Sequence, residues 1–324
     1  MPFENVAWDE ISKFVEGAET PEDGEGLACE VKTYECRYNA DGYRITLQVS
    51  AKKRWDNSHN RDLASALQVT RYYSRSKDLE YTELQIRSPH IKKAMREVIK
   101  EYPGVNLQSG RIVLRDMPRC IFHFREELQR YGRSLTDPEA SRHVGFILQY
   151  MYRIMKREVT SYFNLMHSIN DKTARGLEFD DLWMAFLPGT IVYTSGHSDG
   201  ERAYRFVSMS KCNCTIPACL EHDWTVTVEG IESDGDNFGF VKRALYIPKY
   251  NGYKPIYQIN VTPLMHHPDN ETIRDTLIAR GNKYVKYFDI HHQWYDGIGK
   301  ALSLQRTKTF IGERDRFPLQ SIRV

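Results

Sequence analysis

Long apolar runs are what this chain of 324 residues lacks most plainly. The longest, Val144 to Met151, is interrupted by Gly145 and Gln149. A helix that crosses a bilayer needs about 20 apolar residues, so a membrane-spanning helix and a membrane partner are excluded as readings. The N-terminal stretch MPFENVAWDE has neither a basic n-region nor an apolar h-region and does not read as a secretory signal. The expected location is intracellular, cytoplasmic or nuclear. With 13 prolines and 20 glycines, punctuating residues are too few for a collagen-like or low-complexity chain. The six cysteines, in an intracellular setting, point to reduced thiols and not to a disulfide framework.

Charge is nearly balanced, at +2, but unevenly placed. Residues 1–30 hold nine acids against Lys13 alone, while residues 87–157 hold 15 basic residues and seven acids. An acidic arm could fold over a basic face of the same chain, or that face could meet an external polyanion.

Local patterns place the elements. Ala28 to Tyr38 and Tyr43 to Ser50 flank Asn39-Ala40-Asp41-Gly42, a hairpin signal. Ala66 to Tyr73 and Leu79 to Ile86 alternate apolar and polar residues around a polar turn. Ser88-Pro89 predicts a helix start, because a serine hydroxyl caps free amides and proline's fixed φ suits the first turn. Ile91, Met95, Val98, Ile99 and Tyr102 continue that helix and Pro103-Gly104 is the expected stop. A second helix is expected over Cys120 to Tyr131, a long one near 138–168, and a short one at Phe179 to Phe186 ended by Pro188-Gly189. Five short strands follow: Thr190 to Thr194, Ala203 to Lys211, Asp223 to Ile231, Phe238 to Ile247 and Pro255 to Val261. A helix striped by Ile273, Leu277, Gly281, Tyr284 and Phe288 comes next.

The expected fold class is therefore α+β. A helical and β-hairpin part over 1–175, with its acidic N-terminal arm, precedes a small five-stranded antiparallel barrel of the SH3-like or OB-like kind over 176–300. The last helix closes the barrel, and 301–324 forms a basic tail.

Four stretches carry a resemblance: YTELQIRSPHIKKAMREVIKEYPGVNL (Tyr81 to Leu107), FDDLWMAFLPGTIVYT (Phe179 to Thr194), DGDNFGFVKRALYIPKYNG (Asp234 to Gly252) and HPDNETIRDTLIARGNKYVKYFDIHHQWYDG (His267 to Gly297). In this order they resemble the uncharacterised domain that precedes the ATPase module in large fungal AAA-type ATPases, over most of Leu67 to Gly297. The resemblance implies a partner- or substrate-recognition role, with an AAA-type ATPase or its clients as partner. It implies no ATPase activity here. A Walker loop needs G-x-x-x-x-G-K-[ST] so that backbone amides cradle phosphates, and the nearest approach, Gly297-Ile298-Gly299-Lys300-Ala301, has Trp294 and Ala301 at two required positions.

Three residue groups could carry chemistry. Cys212, Cys214, Cys219 and His222 fall within 11 residues. Four filled positions would make a structural zinc site, although C-x-C is tighter than the usual pairing and reduced apolar thiols are the plainer reading. Arg87, Lys92, Lys93, Arg96 and Lys100 lie on or beside the Ser88 helix and could bind a partner or a polyanion. No RNP pattern or zinc-finger spacing accompanies them, and a pI near 8.1 is below the value of about 9 that marks basic nucleic-acid-binding domains. Trp183, Phe186, Tyr193, Phe206 and Phe238 could line an aromatic cage or simply fill a core. The paired histidines His266-His267 and His291-His292 make a poor shared site, because adjacent side chains on a helix diverge.

No catalytic residue and no cofactor is assigned. The expected function is a non-enzymatic interaction or regulatory module. Nucleic-acid binding through the basic 87–157 region is the first alternative, and a metal-dependent enzyme is the second.

Overall fold

The computed structural model describes residues 25–49, 63–166, 176–196, 200–211, 223–233, 237–286, 298–300 and 321–323. Two compact units emerge, 1–274 and 275–324.

The first unit begins with a mixed five-stranded sheet. Its strands are β1 (Ala28–Tyr38), β2 (Arg44–Gln48), β3 (Ser65–Tyr73), β4 (Leu79–Ile86) and β5 (Ile112–Arg115), in the order β2-β1-β3-β4-β5. The expected hairpin forms. The Asn39 side-chain oxygen accepts the amides of Asp41 (3.1 Å) and Tyr43 (2.8 Å), and Gly42 takes the positive φ of 80° that the turn requires. β1 and β3 run parallel, from Ala28 opposite Ser65 to Cys36 opposite Tyr72, and β5, which has no sequence expectation, completes the edge.

Helices cover this sheet. The Ser88 hydroxyl oxygen accepts the Ile91 amide at 3.2 Å and starts α1 (Pro89–Val98). That helix ends at Val98, short of the expected Tyr102, and Lys100 follows at a φ of 60°. The single helix expected over Cys120 to Tyr131 is two, α2 (Arg119–His123) and α3 (Arg125–Ser134), with Phe124 out of helical conformation between them. Arg125 donates to the Phe122 carbonyl at this break (2.9 Å). The expected long helix is likewise α4 (Pro138–Ile154) and α5 (Lys156–Met166). The kink at Met155 keeps its ladder, since the Met155 amide still reaches Met151 (3.0 Å) and the Val159 amide still reaches Met155 (2.8 Å).

After β6 (Gly176–Glu178) and a 3-10 helix (Phe179–Ala185), a second sheet forms from β7 (Ile191–Gly196), β8 (Gly200–Lys211), β9 (Trp224–Ser233) and β10 (Phe238–Ile247). β11 (Tyr253–Pro255) pairs with β6, and β12 (Thr262–Pro263) adds the last strand, giving the order β10-β9-β8-β7-β12. Two expectations are corrected here. Pro255 to Val261 is not a strand, because Ile256–Gln258 turns as a 3-10 helix and the fifth strand is only Thr262–Pro263. The five strands form an open sheet and not a closed SH3-like or OB-like barrel: among the described residues β10 and β12 do not pair. Closure needs an edge-to-edge ladder, and β12 offers one residue besides a proline that has no amide to donate.

One cluster of buried apolar side chains runs from Ala66 to Val261, continuous across residue 175. It joins Leu67, Ile86, Met95 and Met151 of the first sheet and its helices to Phe206, Trp224 and Val228 of the second. α6 (Asn270–Lys286) holds no buried residue, so it does not close a core. In the second unit, β13 (Ile298–Lys300) pairs antiparallel with β14 (Ser321–Arg323), and β14 lies within the 301–324 stretch read as a tail. Among the described residues no helix is long and apolar enough to cross a membrane.

Candidate functional site

A cleft opens in the first unit between residues 100–108 and strand β8. An outer groove of about 680 Å³ is lined by Lys100, Glu101, Gln108, Arg205, Val207 and Glu229 among others. An inner cavity of about 110 Å³ is lined by Arg119, His123, Trp183, Phe186, Ser208 and Met209. Tyr102, Pro103, Pro188 and Phe206 line both, so the two spaces share a wall.

Two Pro-Gly turns frame the entrance. In Tyr102-Pro103-Gly104-Val105 the Val105 amide reaches the Tyr102 carbonyl (3.1 Å) with Gly104 at φ 76°. In Leu187-Pro188-Gly189-Thr190 the Thr190 amide reaches the Leu187 carbonyl (3.2 Å) with Gly189 at φ 87°. Proline before a positive-φ glycine is the type II arrangement. Read along the chain, both dipeptides are helix stops; folded, they present proline rings to the same space.

The wall at 100–109 is tied down. The Asn106 side-chain oxygen accepts the Gln108 and Ser109 amides, both at 3.1 Å. Arg96 reaches across from α1, donating from Nε to the Leu107 carbonyl and from a terminal nitrogen to the Ser109 carbonyl, both at 2.8 Å. The opposite wall is shaped by a bulge in β8. Phe206 stands opposite Val228, but Ser208 stands opposite Thr227, so Val207 is the extra residue. The bulge resets the alternation, placing both Phe206 and Met209 toward the buried Val228 and Val226. It lies in the lining of the cleft.

At the inner end, the His123 Nε2–H donates to the Trp183 carbonyl (3.0 Å), which leaves Nδ1 to accept the Tyr102 hydroxyl proton (2.9 Å). Burial lowers His123 to about 4 and raises the Tyr102 phenol, so both are neutral at neutral pH. Neither ring nitrogen is open to take a substrate proton. The Arg119 guanidinium sits over Trp183 (5.0 Å) and Trp224 (5.7 Å), and burial lowers its pKa. The Trp224 indole is itself fixed by a 2.7 Å bond to the Phe179 carbonyl.

A second serine–histidine pair resembles a nucleophile and base but is sealed. The Ser88 hydroxyl donates to His143 Nδ1 (2.9 Å), while His143 Nε2–H donates to the Leu27 carbonyl (3.1 Å). Both side chains are 0% exposed. This pair holds the start of β1 and the start of α1 against α4.

The five basic residues singled out in the sequence do not form one free surface. Arg87 bonds to Gln68, Lys93 pairs with Glu97 at 4.0 Å, and Arg96 is committed to the 107–109 carbonyls. Lys92 is half-buried, and Lys100 stands on the rim of the cleft. Of the aromatic set, Trp183, Phe186 and Phe206 converge on the inner cavity. Tyr193 packs against His267 (5.6 Å), and Phe238 is 42% exposed on β10. Cys212, Cys214, Cys219 and His222 lie outside the described residues, as do His291, His292 and Phe288. Among the described residues no cluster of three or more His, Cys, Asp and Glu could hold a metal ion. Tyr102, Pro103, Arg119, His123, Pro188 and Ser208 carry no sequence motif, so spacing alone could not select them; the only local signals were the two Pro-Gly pairs.

Residues 168–268 match the family model described as a domain of unknown function, DUF7025. That span holds the second sheet and one wall of the cleft. It agrees with the uncharacterised-domain part of the resemblance and carries no link to AAA-type ATPases. No curated protein and no solved structure matches the chain.

Proposed function

We propose that the chain is a non-enzymatic interaction module that holds a peptide segment of a partner protein in the cleft between residues 100–108 and β8. The observation that carries this reading is an open groove beside an aromatic inner cavity, the two sharing four lining residues and framed by two Pro-Gly turns. Sites of this kind bind by shape and apolar contact, with a few polar groups fixing orientation. Both nitrogens of the one histidine in the cavity are engaged, which favours holding a ligand over transforming it. The clamp of Arg96 and Asn106 supports the same reading, because a pre-ordered wall lowers the entropy lost on binding. By the resemblance, the partner is an AAA-type ATPase or one of its clients.

The test is an array of short peptides, N-acetylated and C-amidated, probed with the purified chain and with Gln108→Trp, which fills the outer groove from an exposed position. Peptides should bind the parent chain and lose binding to the variant. Equal binding to both would refute the cleft. Binding of single-stranded nucleic acid that falls steeply between about 50 and 200 mM salt, with no peptide retained, would move the basic 87–157 region to first place.

A further inference from the structure

Arg119 is a half-buried cation with no ion-pair partner among the described residues. Among the described residues it makes no hydrogen bond to a carboxylate. Asp116 lies beyond ion-pair distance, and its carboxylate accepts the Thr82 amide at 3.0 Å. Contacts with two indoles ease the burial of charge, but they satisfy none of the five guanidinium N–H donors. A cation held between indoles without a counter-ion is set to take an anionic partner, and this one lines an inner space of about 110 Å³ beside the groove.

We propose, on the reading of the cleft as a peptide site, that the Arg119 cavity receives one carboxylate carried by the bound peptide. The chemistry of the lining selects a carboxylate over a phosphate. Tyr102 gives its proton to His123, and His123 gives its own to a backbone carbonyl, so neither has a donor to spare. That leaves the Arg119 fork and the Ser208 hydroxyl, which makes no hydrogen bond within the protein among the described residues. A single fork matches the two oxygens of a monoanionic carboxylate. A phosphate monoester near −2 carries three acceptor oxygens and is usually met by several cationic donors. Lys100 and Arg205 stand only along the outer groove, and Arg205 is already paired with Glu229.

The experiment uses three sets of short peptides on the full chain: amidated peptides with a central glutamate, the same peptides with glutamine, and acid-free peptides ending in a free carboxylate. Affinities are read from the emission of the tryptophans, two of which flank Arg119. Glutamate peptides should bind about tenfold or more tighter than their glutamine counterparts, the value of one charge-assisted pair. Arg119→Gln should erase that preference while leaving binding through the groove. Tight binding by the free-terminus set supports the carboxylate as well and assigns its source to a chain end. Should Arg119→Gln fail to fold, Ser208→Glu decides the matter: a built-in carboxylate in the cavity should abolish the glutamate preference and raise the melting temperature. Glutamate and glutamine peptides that bind equally, yet lose binding to Gln108→Trp, overturn this inference and leave the cleft standing. Absence of any cleft-dependent binding removes both. Displacement of the peptides by inorganic phosphate at equal affinity overturns the choice of carboxylate.

Discussion

Replacing Arg96 with lysine keeps the positive charge of α1 and removes the fork that holds residues 107–109. Two charge-assisted bonds, both 2.8 Å, tie its guanidinium to the Leu107 and Ser109 carbonyls. A bond to a charged group contributes roughly 1.5–3 kcal/mol to stability when shielded. Lysine can regain at most one of the two, and Arg96 is half-buried, so screening reduces the loss to about 1–2 kcal/mol. In a unit of this size each kcal/mol lowers the melting temperature by about 2–4 °C. The same substitution should speed amide exchange at Gln108 and Ser109, whose amides depend on Asn106 staying in place. Peptide affinity should fall with it, because one wall of the cleft would be ordered only on binding. The assay is thermal melting of Arg96→Lys beside the parent chain, with hydrogen exchange over residues 105–110. A variant that melts and exchanges like the parent would show that Asn106 alone holds the loop, and the positioning role of Arg96 would be wrong. A surface polyanion role, in contrast, would tolerate lysine.

Ser88→Ala should cost about 2–3 kcal/mol, since it removes the cap of α1 and orphans a fully buried His143 Nδ1; urea unfolding should show it, with peptide binding unchanged. Acid should destabilise the fold well above the carboxylate range. Burial lowers both His123 and His143 to about 4 from 6.5, so the unfolded chain binds these protons first. Their contribution is complete above about pH 6.5 and is lost as pH falls toward 4, by up to about 3 kcal/mol for each histidine; an unfolding free energy equal at pH 7 and pH 4.5 would contradict it. The purified chain is expected to carry no stoichiometric zinc. Elemental analysis that finds it, together with its loss in Cys214→Ser, would reverse that expectation and assign Cys212, Cys214, Cys219 and His222 a structural site.

Several elements were legible because their causes are local. A side-chain oxygen and a positive-φ glycine close Asn39 to Gly42, and a hydroxyl caps α1 at Ser88, using groups only a few residues apart. Strict alternation placed β9 within two residues of its observed bounds, because a strand's two-residue period needs only one buried face to be visible. Periodicity says which face is buried and not what buries it. It carried no sign that β1 lies parallel to β3, that the five strands stay open, or that the striped helix α6 buries nothing.

The cleft lies at the far end of that scale. The sequence by itself determined an α+β chain, its turns and caps, a basic stretch and a set of aromatics. Tertiary structure decided which of these meet: Arg119 over Trp183 and Trp224, His123 between Tyr102 and the Trp183 carbonyl, Arg96 turned from the solvent to a loop's carbonyls. Those partners are between 11 and 105 positions apart in sequence. A contact at such separation leaves no local pattern, because it exists only once distant segments have packed into one core.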